Sequence, residues 1–408
     1  MTKRKKILIS LFRFPYPASD GTRNKILKSV IEGLATDFDL EFFIVSTEKI
    51  EPKNVEYFKN KYGKIHLFKH SKFEMVLRAF CALFSKLPIQ ARVYIYEDAK
   101  KWLRKNINSF DALYVHEIRL TEYLTDINFD KNKIVIDLND AISLNYSSSL
   151  VNIGYFKKLF YSFEFKRVRD YEEKIVNSFK HFVTVSEYDR NYLLKFNKNN
   201  SLIHFVCIRL GFAVSENFYR EKASDHNIYF IGNLNYEPNR DCIYFLLQQI
   251  LPEAKKIIPD LSLYIIGGGN IPKKFFSLPG VIFTGFVNDP LPVIEKCSAL
   301  IAPIRFNGGV PSKILESMSY GIPVVTSKEA VNGIVDLKNH ENIILCNITD
   351  VHAWCLSLKE ILFNSELRNK IGVNAKVFIN ENYSIYKSQQ EFRNLFHEII
   401  LRKEPFSS

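Results

Sequence analysis

The chain has few of the features that mark membrane-spanning, disulfide-bonded and nucleic-acid-binding proteins. None of its apolar runs reaches about 18 residues, the length of a candidate transmembrane helix. Its six cysteines form no CxxC pair and have no histidine at ligand spacing, which argues against a structural zinc site and a disulfide framework. Helix-turn-helix motifs, RNA-binding motifs and short-period repeats are also missing. We therefore expect a cytoplasmic protein without a nucleic-acid partner.

The first residues imitate a signal peptide without completing one. A basic start precedes a short apolar stretch, which Arg13 interrupts, and no small-residue cleavage site follows. We interpret residues 7–12 as a buried first strand.

Positive charge is concentrated in the first half of the chain. The net charge is +12, and residues 1–200 hold 35 Lys and Arg against 24 Asp and Glu. Residues 201–408 hold 21 against 20, so they are almost neutral. Such an excess attracts an anionic partner, for example the inner face of the cytoplasmic membrane or a phosphorylated lipid. An ordinary solvated, lysine-rich surface would give the same count, and both interpretations stay open.

Short apolar runs alternate with helical stretches along the whole chain, the pattern of parallel α/β sheets with crossover helices. The expected strands are 6–12, 40–46, 112–116, 133–138 and 181–186, then 227–233, 261–269, 281–286, 299–304 and 322–327. A polar segment at 216–227 separates the two series. We predict two domains, residues 1–210 and 211–383, and a final helical segment at 384–408.

The stretch RFNGGVPSKILESMSYGIPVV, residues 305–325, carries the densest set of functional signals. Its two glycines follow an expected strand, and Pro311 suits the first position of a helix over 310–320. The free N–H groups and the positive dipole end of that helix would attract an anion, and Lys313 would add a point charge. Glu316 would accept hydrogen bonds from sugar hydroxyls. This combination suggests a nucleotide or a nucleotide sugar, and a glycine loop with a routine surface Lys–Glu pair is the alternative.

The same stretch resembles the nucleotide-sugar motif of family 4 glycosyltransferases, which have the GT-B fold. Its LESM and GIPVV segments match the usual LEAM context and the GxPVV end of that motif. Further resemblances are FIGNLNYEPN to the donor-domain opening, LYIIGGG to a strand end and FTGFVNDP to the base-site turn. TVSEYDRNYL resembles a late acceptor-domain helix, and FRFPYPASDGTRNKIL resembles the first loop. These ordered motifs extend along most of the chain.

The resemblance implies a GT-B fold, with two Rossmann-like parallel-sheet domains facing across a cleft. The first domain would bind an acceptor, the second a nucleoside-diphosphate sugar donor, and the final helix would pack back toward the first domain. The implied reaction moves a sugar to a bacterial surface glycan or its lipid carrier, with retention of configuration. In the second half no DxD carboxylate pair offers a metal–diphosphate clamp, so we expect no required metal and no further cofactor.

The resemblance also assigns site residues. Its donor-binding set is Gly232, Asn233, Asn239, Val287, Asn307, Gly308, Gly309, Val310, Lys313 and Glu316. In that set Glu316 would hold the ribose hydroxyls, Lys313 and the loop backbone the diphosphate, and Val287 the base. His116, Lys313 and Glu316 form the implied catalytic set. On the acceptor side, Gly21 and Arg23 lie in the loop after the first strand.

Two positions depart from the family pattern, and several interpretations stay open. Gly308 stands where many relatives have a second glutamate, and Asn233 stands where many have an arginine. The contact with the donor sugar is therefore unassigned. By itself, His116 could equally be a hydrogen-bonded structural residue. A non-catalytic nucleotide-sugar-binding protein and a sugar-nucleotide epimerase of the same fold are the alternative functions.

Residues 154–169 alternate aromatic and basic side chains at helical spacing. This pattern is typical of a helix at a membrane surface. It also fits a helix whose aromatic face packs in the core, and we favour the core.

Overall fold

The chain divides into two α/β units, Met1–Gly211 together with Ile385–Ser408, and Phe212–Ser384. The computed structural model describes residues 3–17, 23, 25–149, 155–198, 202–215, 226–306 and 309–401. Gly21, Asn307 and Gly308 of the expected site lie outside these described residues.

The first unit is built on a seven-stranded sheet in the order β3-β2-β1-β4-β5-β6-β7, with every neighbouring pair parallel. Its strands are β1 (Lys6–Leu11), β2 (Asp39–Ser46), β3 (Lys64–Lys69), β4 (Ala112–His116), β5 (Ile134–Asn139), β6 (His181–Thr184) and β7 (His204–Cys207). The chain winds outward from β1 to β3 and then returns to place β4 on the other side of β1. The carboxyl ends of β1 and β4 therefore form a topological switch point, where open α/β sheets bind ligands.

The second unit repeats this arrangement with six parallel strands in the order β10-β9-β8-β11-β12-β13. Its strands are β8 (Asn227–Ile231), β9 (Ser262–Ile266), β10 (Val281–Gly285), β11 (Ala299–Ala302), β12 (Val324–Ser327) and β13 (Ile344–Cys346). Here the switch point lies between the carboxyl ends of β8 and β11.

Helices cover these sheets and bury their apolar sides against the strands. In the first unit they are α1 (Glu32–Ala35, continuing a π-helical stretch at Lys25–Ile31), α2 (Pro52–Tyr62), α3 (Lys72–Ala82), α4 (Ile89–Arg92), α5 (Glu97–Asn106), α6 (Ile142–Ser149), α7 (Tyr155–Val176) and α8 (Glu187–Leu194). In the second unit they are α9 (Glu237–Phe245, followed by a π-helical stretch at Leu246–Ile250), α10 (Leu251–Ile257), α11 (Leu291–Ile294), α12 (Ser312–Ser319), α13 (Val351–Phe363) and α14 (Ser365–Asn382). Short 3-10 helices lie at Ile107–Ser109, Ile118–Leu124, Lys131–Lys133, Lys273–Phe275 and Glu329–Val331. Within the described ranges, no helix combines the length and the apolar character needed to cross a membrane.

The last helix, α15 (Ile385–Leu401), completes the first unit. Its buried Phe392 and Phe396 belong to the same core cluster as Ile7 of β1. The Gln389 side chain donates a hydrogen bond of 2.7 Å to the carbonyl of Lys28. Residues at the two ends of the chain therefore share one core.

All ten expected strands are present, and the predicted fold class of two parallel-sheet α/β domains is confirmed. Three further strands went unpredicted because they carry a weak signal. The edge strand β3 mixes apolar and basic residues, β7 has only four residues near the expected domain boundary at 210, and β13 has only three residues.

Two expected helices differ from the observed ones. The helix expected over 310–320 begins at Ser312, and Pro311 is its N-cap residue rather than its first residue. The core packing expected for residues 154–169 holds only near the end of that stretch. Val168 is buried, as are later residues of α7, whereas Leu159, Phe160 and Phe163 are exposed.

The turn after α12 is held by a close backbone contact with α14. Gly321 has a φ of 73°, which favours glycine, and its N–H donates to the Met318 carbonyl to end the helix. A Cβ atom at Gly372 of α14 would overlap the carbonyl oxygen of Gly321. Because a backbone atom cannot move aside as a side chain does, the absence of a side chain at Gly372 positions α12.

We predict that Gly372→Ala destabilises the protein by about 1–3 kcal/mol, the usual cost of overpacking. Helix propensity alone predicts the opposite result, because alanine stabilises a helix by about 1 kcal/mol relative to glycine. Thermal unfolding measures the effect, and Val373→Ala at an exposed position of the same helix is the control. An unchanged or raised midpoint for Gly372→Ala would show that the contact does not constrain α12.

Candidate functional site

The switch point of the second unit brings Gly232, Asn239 and Lys313 together, although 81 residues of sequence separate the first from the last. Gly232 follows β8, and Lys313 lies in the first turn of the helix after β11. A Cβ atom at Gly232 would lie 2.7 Å from Asn239 Nδ2 and 3.0 Å from Lys313 Nζ. A side chain at this position would therefore displace the polar ends of Asn239 and Lys313 from the end of β8.

The Lys313 ammonium is held by weak partners. Its Nζ donates to Asn239 Oδ1 and lies 4.4 Å from the centroid of the Phe230 ring. The Asn239 amide is oriented in turn, because its Nδ2 donates a bond of 2.9 Å to the Asn233 carbonyl. Burial lowers the pKa of Lys313 to about 8, and no carboxylate of the described residues counters this effect. An anion bound here would restore the charge balance.

Glu316 lies three residues beyond Lys313 on α12, so the two side chains project from neighbouring positions of the helix. Burial raises the pKa of Glu316, and a hydrogen bond with the Tyr320 side chain acts in the opposite direction. A carboxylate in this setting can accept further hydrogen bonds from hydroxyl groups.

The loop before α12 is anchored at its start. The Arg305 guanidinium makes two hydrogen bonds to the Asp241 carboxylate of α9, and the one from Nε measures 2.8 Å. Gly309, near the end of the loop, has a φ of 80°, a conformation that favours glycine. Val310 is partly buried and packs against the core of this unit. The N-cap residue Pro311 makes no side-chain cap hydrogen bond, and the Ile314 N–H donates to its carbonyl, so the amides of Ser312 and Lys313 are the first-turn donors that could face an anion.

A third set of residues lies at the carboxyl ends of β9 and β10. The Gly267 N–H donates a hydrogen bond of 2.9 Å to the Gly285 carbonyl. A Cβ atom at Gly268 would lie 3.4 Å from Phe286 Cβ. Val287, expected to face a base, is partly buried and packs against the core. The neighbouring Phe286 is 69% exposed and offers a flat apolar surface, which the sequence analysis did not identify.

In the first unit, His116 ends β4 at the switch point and is buried. Its Nδ1 lies 3.4 Å from the Tyr114 hydroxyl and 3.9 Å from Asp137 Oδ2. Tyr114 donates a hydrogen bond of 2.5 Å to Asp137, and Lys25 Nζ lies 2.9 Å from the same carboxylate oxygen. The Lys25 and Asp137 side chains are at most 1% exposed, so this is a buried ion pair.

The Asp137 carboxylate of this pair is a charged neighbour of His116. Burial acts to raise the pKa of Asp137, but Lys25 and the hydrogen bonds from His116 and Tyr114 hold it below its ordinary value. The second imidazole nitrogen of His116, Nε2, is buried without a hydrogen-bond partner among the described residues, and Glu117 Oε1 lies 3.5 Å away. His116 is therefore enclosed in this structure, with Asp137 near one ring nitrogen and Glu117 near the other.

The remaining predicted residues are less suited to ligand contact. Arg23 is partly buried, and its Nη2 lies 2.7 and 2.5 Å from the two carboxylate oxygens of Glu48. Asn233 is exposed, and its side-chain oxygen accepts from the Asn235 N–H at 2.9 Å. The described residues contain no group of three potential metal ligands. The DxD sequence at 37–39 lies at the amino end of β2, away from the carboxyl ends of the strands.

The pKa of Lys313 gives a direct prediction. NMR spectra of protein labelled with ¹³C in its lysine side chains should show one lysine, absent from Lys313→Arg, that loses its proton near pH 8. Exposed lysines titrate near their ordinary pKa of about 10.4. If the Lys313 signal titrates with those of the exposed lysines, the amine is hydrated and the described enclosure is wrong.

Comparisons with known proteins agree with this architecture. Residues 225–364, which include the switch point of the second unit, match the family model "Glycosyl transferases group 1". Over 96% of its length the chain is 23% identical to 99% of an "Uncharacterized 44.6 kDa protein in cps region" of Klebsiella pneumoniae. Over 41% of its length it is 21% identical to 44% of a UDP-Gal:alpha-D-GlcNAc-diphosphoundecaprenol alpha-1,3-galactosyltransferase of Escherichia coli.

Among solved structures, TarM matches with a TM-score of 0.71 at 12% sequence identity, covering 97% of this chain and 99% of that one. The chain thus has the GT-B fold, and its second unit contains a region similar to group 1 glycosyltransferases.

Proposed function

We propose that this chain is a glycosyltransferase that moves a sugar from a nucleoside diphosphate to a glycan or lipid-linked acceptor in bacterial surface polysaccharide synthesis. The observation that carries the proposal is Lys313, a cation without a carboxylate partner among the described residues, beside the uncapped start of α12. The group 1 glycosyltransferase match covers these residues. Relatives from a cps region and with a diphosphoundecaprenol substrate support the choice of acceptor class.

The donor would be bound by three neighbouring groups of residues. Lys313 and the amides of the first turn of α12 bind the diphosphate, since both offer positive charge to phosphate oxygens. Glu316 binds the ribose hydroxyls. The base stacks against Phe286 beside Val287. Uridine is the first base to test, because the Escherichia coli relative is named for UDP-Gal.

The proposed chemistry depends on charge at the leaving group. As the glycosidic bond loosens, negative charge develops on the departing diphosphate and positive charge on the sugar. Lys313 and the start of α12 would stabilise the leaving phosphates, and this interaction would strengthen toward the transition state. They also supply the positive charge that a divalent ion would otherwise bring, so we propose transfer without a required metal. We further propose that an acceptor hydroxyl attacks on the face the diphosphate leaves, which retains the configuration.

His116 would act on the sugar rather than on the phosphates. Its Nε2 has no hydrogen-bond partner among the described residues, and Asp137 behind Nδ1 keeps the imidazole oriented. An imidazole nitrogen can donate a hydrogen bond to a sugar hydroxyl or accept one from it, according to the tautomer. Because Gly308 replaces a frequent glutamate, we assign no carboxylate to the sugar.

The alternative functions share the donor site and differ in the products formed. A nucleotide-sugar-binding protein would bind the donor and leave it intact with or without an acceptor. An epimerase would convert the donor sugar without an acceptor. A glycosyltransferase releases nucleoside diphosphate at a rate that depends on the acceptor.

We predict that Lys313→Met weakens the binding of UDP by about tenfold or more, the effect of losing a charge-assisted hydrogen bond. Glu316→Gln should reduce donor binding or turnover by about tenfold. Isothermal titration calorimetry and product analysis measure the two effects.

The matched controls are Lys359→Met and Glu381→Gln, which change exposed residues of the same unit. The two control variants and Glu316→Gln should keep their thermal unfolding midpoint, and Lys313→Met should not lower it, because it removes a charge that burial disfavours. Wild-type UDP affinity and turnover in both Lys313→Met and Glu316→Gln would refute the donor-site assignment.

A further inference from the structure

Helix α3 exposes a row of large apolar side chains to solvent. Phe73, Val76, Leu77 and Phe80 recur at the spacing of one helical face, Phe84 follows in the turn after the helix, and Phe73 and Phe84 are 71% and 83% exposed. The helix starts at a complete capping box, so its position along the chain is well defined.

The opposite side of α3 packs against other residues of the first unit. The Thr47 hydroxyl lies 3.6 Å from Met75 Sδ, and the Arg78 guanidinium lies 4.3 Å from the centroid of the Tyr96 ring. Ala82 is the one buried residue of α3. The exposed row is therefore the outward side of a docked helix.

The first turns of α7 carry a second exposed apolar group, formed by Leu159, Phe160 and Phe163. Arg167 connects the two helices, because its Nη2 donates to the carbonyls of Ala82 and Ser85 at the end of α3. The same guanidinium lies 4.9 Å from the centroid of the Phe163 ring. The two exposed groups thus lie on either side of Arg167.

We name these residues together the apolar face. It comprises Phe73, Val76, Leu77, Phe80, Leu83, Phe84, Leu159, Phe160 and Phe163. Five of the eight exposed phenylalanines of the described residues belong to it, so it is a cluster and not scattered single exposures. A patch of this kind on a soluble surface marks an interaction site.

The charge around the apolar face identifies the partner. Residues 72–86 and 155–169 contain eight Lys and Arg against two Glu, and one of these, Glu164, is buried in a salt bridge with Arg167. A second copy of the chain would bring the same positive charge and be repelled. Phospholipid headgroups with negative charge complement the cations, and the acyl chains accept the phenylalanines.

We propose that the apolar face lies in the interface of an anionic membrane, with α3 parallel to the bilayer surface. The phenylalanines insert below the headgroups while Lys72, Lys86 and Lys158 contact lipid phosphates. The biological role of this membrane contact rests on the proposed function, since the contact would hold the enzyme at the surface that carries a lipid-linked acceptor. Membrane binding itself requires neither donor nor acceptor.

Co-sedimentation of the full chain with vesicles tests the proposal. Phosphatidylcholine vesicles that contain phosphatidylglycerol should bind the protein, and binding should weaken as salt is raised. Phe80→Ser combined with Phe84→Ser should weaken vesicle binding by about tenfold or more, since each removes a large inserted ring. Lys86→Glu combined with Lys158→Glu should also weaken it, because both lysines are exposed and carry the attraction.

The matched control is Val373→Ser combined with Val377→Ser, an exposed apolar pair on α14 of the second unit. It should bind vesicles as the wild type does, and UDP affinity measured without vesicles should be unchanged in every variant. The donor-site proposal and the apolar-face proposal can therefore be refuted independently of each other.

Two outcomes would overturn the proposal. The first is that anionic vesicles do not bind the wild type, or bind the Phe80–Phe84 double variant equally well. The second is a wild-type dimer in analytical ultracentrifugation that this double variant dissociates, without vesicle binding. The second result would assign the apolar face to contact between copies of the chain.

Discussion

The donor site depends on one partly buried lysine amine with which no described carboxylate pairs. Among the described residues, Lys313 contacts a side-chain amide oxygen and the face of an aromatic ring, both weaker partners than a carboxylate. Its neighbours keep it there. Gly232 leaves space for the amine, Arg305 anchors the loop before α12, and the close approach of Gly372 holds the end of the helix. A bound diphosphate would supply the missing charge, which makes this enclosure useful for binding.

The two units solve the same electrostatic problem in opposite ways. Both have a buried or partly buried lysine near the switch point of a parallel sheet. In the first unit Asp137 neutralises Lys25, and the pair serves to orient His116 through Nδ1. In the second unit no described carboxylate pairs with Lys313. The first lysine is therefore part of the scaffold, and the second remains available to an anion.

The sequence predicted features that depend on local pattern. Buried parallel strands appear as short apolar runs, and Gly232, Lys313 and Glu316 lie directly after such runs or in the helix that follows. Features that depend on tertiary contact were not predictable. Lys25 and Asp137 are 112 residues apart, and only the sheet order reveals that they pair. The apolar row of α3 has the same spacing as a core-facing helix, so exposure cannot be inferred from it.

The most direct test is a crystal structure of the protein with bound UDP. The account predicts that a phosphate oxygen lies within about 3 Å of Lys313 Nζ, that the diphosphate contacts the first-turn amides of α12, and that Glu316 accepts a hydrogen bond from the ribose. UDP bound elsewhere, or bound here with Lys313 still directed only at Asn239, would contradict the central claim that the enclosed amine is the diphosphate site.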